Sequence, residues 1–196
     1  AQSYFVYDSK KSGGVTCSHL RFGEDSCNMP WLINSADFVS CNQPSYIGKY
    51  DMLTPLKKGG TFVLNSDFGA DKAFNMLTKQ MQEFIIKNDI KFYNIDALKI
   101  AQAAGLGSKI NTVMQAIFFK LSGVLPEAES MQLMKDAVKK TFIRKGQDIV
   151  DMNWKCIDAA SAGLEEVKVP KTITESFTPP EFIPIKADTP DFIKDI

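Results

Sequence analysis

His19 and Arg21 stand two residues apart, and His19 is the only histidine in the chain. Both belong to the run 13–23, Gly-Gly-Val-Thr-Cys-Ser-His-Leu-Arg-Phe-Gly. The two leading glycines permit a tight turn, Val15 to Leu20 has the small and β-branched character of a strand, and Arg21 falls where that strand yields to a loop ending at Gly23. An arginine at a strand end, with the Ser18 hydroxyl and backbone N–H groups beside it, suits a phosphate or carboxylate, because the guanidinium offers paired donors to paired oxygens. A plainer reading stays open. Arg21 pairs with Glu24 or Asp25, and His19 is a hydrogen-bonded strand residue.

Two further stretches have side chains able to meet a polar ligand at presumed strand ends. Asn42-Gln43-Pro44-Ser45-Tyr46 breaks a strand over Ala36 to Cys41, and Asn65-Ser66 closes one over Thr61 to Leu64, so Gln43, Ser45 and Asn65 join Ser18, His19 and Arg21 as candidates. Gly105-Leu106-Gly107-Ser108, with Lys109, Asn111 and Thr112 in the following first turn, could cradle an anion at a helix start. The same glycines also serve as a simple break between two helices.

Other chemistries lack their residues. The four cysteines, at 17, 27, 41 and 156, have none of the close paired spacing of zinc or iron–sulfur sites, and read as reduced thiols. Twenty-three basic residues balance 23 acidic ones, which leaves no electrostatic footprint for nucleic acid or an anionic membrane. No apolar run approaches a membrane span, and no signal-peptide pattern opens the chain. The G-x-G-x-x-G fingerprint of a free-standing nucleotide-dependent oxidoreductase is missing, as is the nucleophile elbow a hydrolase built on His19 would need.

The elements that must position the candidates follow from pattern. Length favours one domain and a tail. Strands are expected at Ser3 to Tyr7 and Val15 to Leu20, then at Ala36 to Cys41, Thr61 to Leu64 and Lys91 to Ile95. A short helix is expected over Tyr50 to Leu56, and a longer one from Asp71 with Phe74, Leu77, Met81, Phe84 and Ile85 inward. Asp96 should cap a helix over Ala97 to Ala104. Ile110, Val113, Met114, Ile117, Phe118 and Leu121 line the face of the next, and two more run over about Glu127 to Lys145 and Gln147 to Val167. The sum is an α/β fold of three α/β/α layers with a mostly parallel sheet, plus an extended C-terminal tail. Residues 1–169 form the α/β domain. Residues 170–196, punctuated by prolines, read as a linker to a following domain, with Phe177, Phe182, Ile183 and Phe192 as apolar anchors.

Taken together, Tyr4 to Thr16, Ser18 to Gly23, Ala36 to Val39, Gln43 to Tyr46, Gly48 to Leu53, Gly59 to Phe62, Leu64 to Ser66, Ile90 to Tyr93, Gly105 to Gly107 and Ile110 to Thr112 are specific as a set. Over most of residues 3–169 the chain resembles the third domain of pyruvate:ferredoxin oxidoreductase, equivalent to the gamma subunit of the multi-subunit 2-oxoacid oxidoreductases. The resemblance implies a parent that oxidatively decarboxylates pyruvate with thiamine pyrophosphate and Mg, passes electrons through iron–sulfur clusters and transfers the acyl group to coenzyme A. For this chain it implies an active-site cap that binds none of those cofactors alone and helps position coenzyme A through Ser18, His19, Arg21, Gln43, Ser45 and Asn65. The implied partners are coenzyme A, the other domains of the polypeptide, a second copy in a homodimeric parent, and ferredoxin, flavodoxin or a fused reductase domain. The implied setting is the cytoplasm or an anaerobic mitochondrion-related organelle, and the isolated piece is expected to be inactive. Two departures stand out. Family members carry a further strand and glycine-rich segment before the part resembling Tyr4 to Thr16, and Glu24-Asp25-Ser26-Cys27-Asn28 replaces a more basic, proline-containing loop. The alternative is a purely structural inter-domain module.

Overall fold

The computed structural model describes residues 1–7, 14–23, 27, 29–173 and 175–179. Glu24, Asp25, Phe182, Ile183 and Phe192, on which expectations were placed, lie outside the described residues.

Two sheets are present among the described residues. Strands β1 (Gln2–Tyr7) and β2 (Thr16–Arg21) form an antiparallel pair. The main sheet has the order β3-β4-β5-β6. Strands β3 (Ala36–Cys41), β4 (Leu56–Asn65) and β5 (Lys91–Ile95) run parallel, and β6 (Leu164–Glu166) closes the far edge antiparallel. The helices are α1 (Lys79–Lys87), α2 (Ala97–Ala103), α3 (Asn111–Ser122), α4 (Glu127–Phe142) and α5 (Gln147–Gly163).

Alternation along β4 makes the three layers. Val63 enters one core with Ile95, Ala101, Val113, Ile117, Val138, Val150 and Ile157, which come from β5 and from α2 to α5. Phe62 and Leu64 enter a second core on the opposite face with Phe92, Leu77, Met81 and Ile85. Because both faces are covered, Phe62, Val63 and Leu64 are all fully buried in succession, as expected for a central strand of a parallel sheet. The α/β reading with a mostly parallel sheet therefore holds.

Three expected boundaries are corrected. No helix forms over Tyr50 to Leu56. The Asp51 carboxylate accepts the backbone N–H groups of Leu53 and Thr54, which builds a turn, and Leu56 already belongs to β4. Pro55 reinforces this by disfavouring helical backbone at Thr54. The helix expected from Asp71 starts at Lys79, with the Thr78 hydroxyl as its cap. Residues 71–77 make only local turns, and two of their carbonyls bond outside them: Phe74 and Leu77 accept from the buried Gln82 amide, and Leu77 also accepts from Phe177 N–H. Lastly, α5 stops at Gly163 and the chain turns into β6, not into more helix. A side chain at Gly163 would start 2.6 Å from Ile100 Cδ1, so α2 presses on the end of α5 there.

Among the described residues beyond Val167 no helix or strand forms, and this stretch is docked. Gln82 Nε2 donates to Glu175 O at 2.8 Å, Asn75 Nδ2 donates to Glu175 Oε2 at 3.2 Å, and Phe177 packs against the second core. Pro179 lies over Gly48, whose φ of +76° is in the left-handed region. Gly48→Ala should therefore lose about 1–2 kcal/mol from backbone strain alone. It should also dislodge Pro179, which a protease would reveal by faster cutting around 175–179. Unchanged melting and unchanged cutting would contradict the docked tail.

Candidate functional site

The carboxyl ends of β3, β4 and β5 lie side by side, and polar residues gather on them. Asn65, at the end of β4, accepts from Ala97 N–H at 2.9 Å through Oδ1 and donates to Asn42 O at 3.0 Å through Nδ2. One amide thus fastens the first N–H of α2 and the loop after β3. Ser66 Oγ donates to Asn94 Oδ1 at 2.6 Å, and Asn94 Nδ2 returns a bond to Ser66 O at 3.1 Å. Asn65, Ser66 and Asn94 are all buried, and burial of polar groups is tolerated because these bonds satisfy them. Asn65 is accordingly committed to architecture on both sides of its amide.

Gln43 and Ser45 stand differently. Both are exposed in the loop after β3, where residues Pro44–Tyr46 make one 3-10 turn. The Gln43 carbonyl accepts from Tyr46 N–H at 3.0 Å and from the Cys41 thiol at 3.1 Å, which leaves its side chain outside the turn. Ser45 sits at the lip of a cavity of about 260 Å³ with Pro44, Ile47, Phe68, Met76 and Phe177. That cavity is almost wholly apolar.

The hairpin β1–β2 carries the other three candidates. Gln2 faces Arg21, Tyr4 faces His19 and Phe5 faces Ser18. Strand alternation therefore puts His19 and Arg21 on one face and Ser18 on the other. The face with His19 and Arg21 is covered by residues 29–33. Arg21 Nη2 donates to Trp31 O at 2.6 Å and Nη1 to Gln2 Oε1 at 3.2 Å. His19 Nδ1 accepts from Ile33 N–H at 3.2 Å, with Nε2 3.5 Å from Cys17 Sγ. An accepting Nδ1 in a neutral ring places the ring proton on Nε2. The other face, with Ser3, Phe5, Ser18 and Leu20, is open, and Phe5 is 66% exposed.

Contacts at both ends tie the hairpin to the main body. Phe22 stacks on Phe118 of α3 at 5.6 Å between ring centroids, and Tyr46 OH reaches Gly14 O at 3.5 Å. The second contact brings the end of the hairpin against the loop that holds Gln43 and Ser45. Gln2, Trp31 and Ile33 were missed from sequence as the groups that hold Arg21 and His19. The facing of Gln2 and Arg21 was a signal only once the hairpin register was known.

At the other proposed cradle, Thr112 Oγ1 donates to Asn153 Oδ1 at 2.6 Å and so ties α3 to α5, while Ser108 and Lys109 are exposed. Gly105 and Gly107 have φ of +89° and +62°, which is enough to account for glycine in the turn between helices.

The cysteine donor set does not suit a metal cluster. Cys41 and Cys156 are buried in the two opposite cores, and burial pushes both thiols up, against the thiolate that a cluster ligand requires. Among the described residues no three His, Cys, Asp or Glu side chains converge. No described helix is long and apolar enough to cross a membrane.

An open, mostly parallel sheet with polar loops gathered at its carboxyl edge defines the class: an α/β domain of the kind that receives ligands at strand ends. Residues 1–163 match the family described as pyruvate ferredoxin/flavodoxin oxidoreductase, and the chain belongs to that family. It is 45% identical over 196 residues to a pyruvate:ferredoxin oxidoreductase of Moorella thermoacetica, covering all of this chain and 17% of that protein. It is 42% identical over 195 residues to a pyruvate-flavodoxin oxidoreductase of Rhodospirillum rubrum, again covering all of this chain and 16% of the relative. The chain thus spans about a sixth of the length of these relatives. Its fold is shared with the pyruvate oxidoreductase subunit PORC of Thermotoga maritima, with a TM-score of 0.61 over 85% of this chain and 81% of that one, at 15% identity.

Proposed function

We propose that this chain is the part of a thiamine-pyrophosphate- and iron–sulfur-dependent pyruvate oxidoreductase that caps the active site and helps orient coenzyme A, contributing proximity and not proton transfer. The parent reaction converts pyruvate and coenzyme A to acetyl-CoA and CO2 and reduces ferredoxin, flavodoxin or a fused reductase domain. The names of the relatives support the reaction. Thiamine pyrophosphate, Mg and the clusters belong to other parts of the parent in this reading. The parent is a homodimer in the cytoplasm or an anaerobic mitochondrion-related organelle, and the piece 1–169, with its linker 170–196, has no activity alone.

The observation that carries the coenzyme A role is the posture of Arg21. Two of its donors are fixed by Trp31 O and Gln2 Oε1. A guanidinium has five, so among the described residues the rest are open to an anion on a side chain already held in one orientation. His19 stands beside it on the same face. On this reading Gln43 and Ser45, on the loop that touches Gly14, meet polar parts of the ligand, as does Ser18 from the opposite face of the hairpin. Asn65 acts from behind, by fixing the loop after β3. In the complete oxidoreductase, Arg21→Ala should weaken coenzyme A binding by about 1.5–3 kcal/mol, the range for a hydrogen bond to a charged group. Calorimetric titration checks this, and an unaltered affinity would remove Arg21 from the site.

A second reading is favoured by a separate observation. The hairpin exposes Phe5 and Leu20, and the segment 29–33 that covers its other face exposes Leu32 and Trp31, the latter 56% exposed, which suits burial against a neighbouring domain. On that reading the chain is an inter-domain module with no ligand of its own. Protection of the hairpin from a protease in the complete protein, equal with and without coenzyme A, would favour it.

A further inference from the structure

The molecule is neutral overall, yet its charge is not evenly spread. At the end of α4 and in the 3-10 turn that follows (Ile143–Lys145), the sequence Lys139-Lys-Thr-Phe-Ile-Arg-Lys145 sets four cations in seven residues. Lys139, Lys140, Arg144 and Lys145 are all exposed. None of them enters an ion pair among the described residues, whereas Lys135, earlier on α4, bonds Asp158 at 2.6 Å and Lys120, on α3, bonds Glu127 at 2.8 Å. Asp136 and Asp148 are the nearest acids in sequence, and Asp136 is engaged by Gln132. Lys145 Nζ lies 5.5 Å from the centre of the Phe142 ring. Ile143, 43% exposed, adds an apolar side chain among the cations.

The helix dipole favours cations in a last turn, but that effect fades within one turn and asks for one or two charges. Lys140 and Arg144, four apart, repel each other. Keeping four unpaired like charges around one apolar side chain is the make-up of a surface that waits for an opposite one. Permanent interfaces are apolar at their centre and poor in lysine, and the hairpin already offers such a surface. A cationic rim with little apolar area instead fits a brief, salt-sensitive encounter.

We propose that the end of α4 is a docking patch for the acidic face of a small electron-carrier protein, held by Lys139, Lys140, Arg144 and Lys145 around Ile143. This rests on the oxidoreductase reading above. The test uses the complete oxidoreductase, with flavodoxin as the probe, and compares it with the charge-reversed variant Lys139→Glu/Lys140→Glu/Arg144→Glu. Pyruvate-dependent reduction of a viologen dye, which needs no docking, controls for folding and for the reaction itself.

The variant should keep dye reduction and bind flavodoxin at least about tenfold more weakly at low ionic strength. Salt should weaken binding to the unaltered protein and narrow the difference. Equal flavodoxin affinity in both proteins, with dye reduction intact, overturns the patch and leaves the oxidoreductase reading standing. Loss of coenzyme A affinity in the variant, with flavodoxin binding unchanged, also overturns it, since the cations would then serve a small anion. An unaltered protein that neither reduces the dye with pyruvate nor binds flavodoxin removes both readings.

Discussion

Replacing Phe62 by alanine should cost about 3–5 kcal/mol of unfolding free energy, the range for truncating a buried phenylalanine. Phe62 is fully buried at the middle of β4, the strand with a parallel neighbour on each side. Its ring stacks on that of Phe92, its register partner in β5, at 5.3 Å and 20° between planes. The pair adds about 0.5–1.5 kcal/mol beyond simple burial. The surroundings cannot readily collapse into the gap, because Leu64 of β4, Leu77 before α1 and Ile85 of α1 are themselves fully buried in the same core. Domains of this size hold only about 5–15 kcal/mol in total, so the variant should melt far below the parent chain or fail to accumulate. Chemical denaturation gives the number. A loss below about 1 kcal/mol would mean that the face beneath α1 is not packed as described.

Asn65→Ala should come second, at about 2–4 kcal/mol, from the buried Ala97 N–H left without a partner and the lost bond to Asn42 O. Ala97 N–H and Asn42 O both lose their bonds. The two losses strike different elements, the start of α2 and the loop with Gln43 and Ser45, so stability and loop order should fall together. Asn65→Asp separates the terms: it keeps an acceptor for Ala97 N–H and sets a carboxylate against the Asn42 carbonyl. Should Asn65→Ala change coenzyme A affinity while leaving the denaturation midpoint where it was, the residue would belong to the ligand and not to the frame.

Sequence pattern revealed elements where one period dominated. The face of α3 over Val113, Met114 and Ile117 is buried as its spacing requires, Asp96 does accept from Lys99 N–H at the start of α2, and β3 and β5 fall where their apolar runs lie. Pattern misled where a long-range bond overruled it. Residues 71–77 have helical spacing, but Gln82 and Phe177, the latter a hundred residues further on, capture the carbonyls of Phe74 and Leu77. Nothing local in Leu164-Glu165-Glu166 announces a strand, since a three-residue strand exists only because the edge of β5 stands open to it. The site shows the same division. Polar residues at the carboxyl ends of strands were legible as ligand candidates, whereas the use of Asn65 as a clamp and of Trp31 O as the support of Arg21 depended on pairings between distant segments.

The antiparallel β6 has a consequence for how the molecule comes into being. Strand β5 is complete by Ile95, but its second edge stays bare until Leu164 to Glu166 arrive and Val167 N–H bonds Phe92 O at 2.9 Å. During synthesis the ribosome must release the whole intervening stretch, α2 through α5, before that edge is closed. Those helices are local structures and can form as they emerge, while the sheet beneath them waits with one side open. A nascent chain halted before residue 164 would therefore present a helical bundle beside an unpaired strand. That is the species on which a chaperone would act.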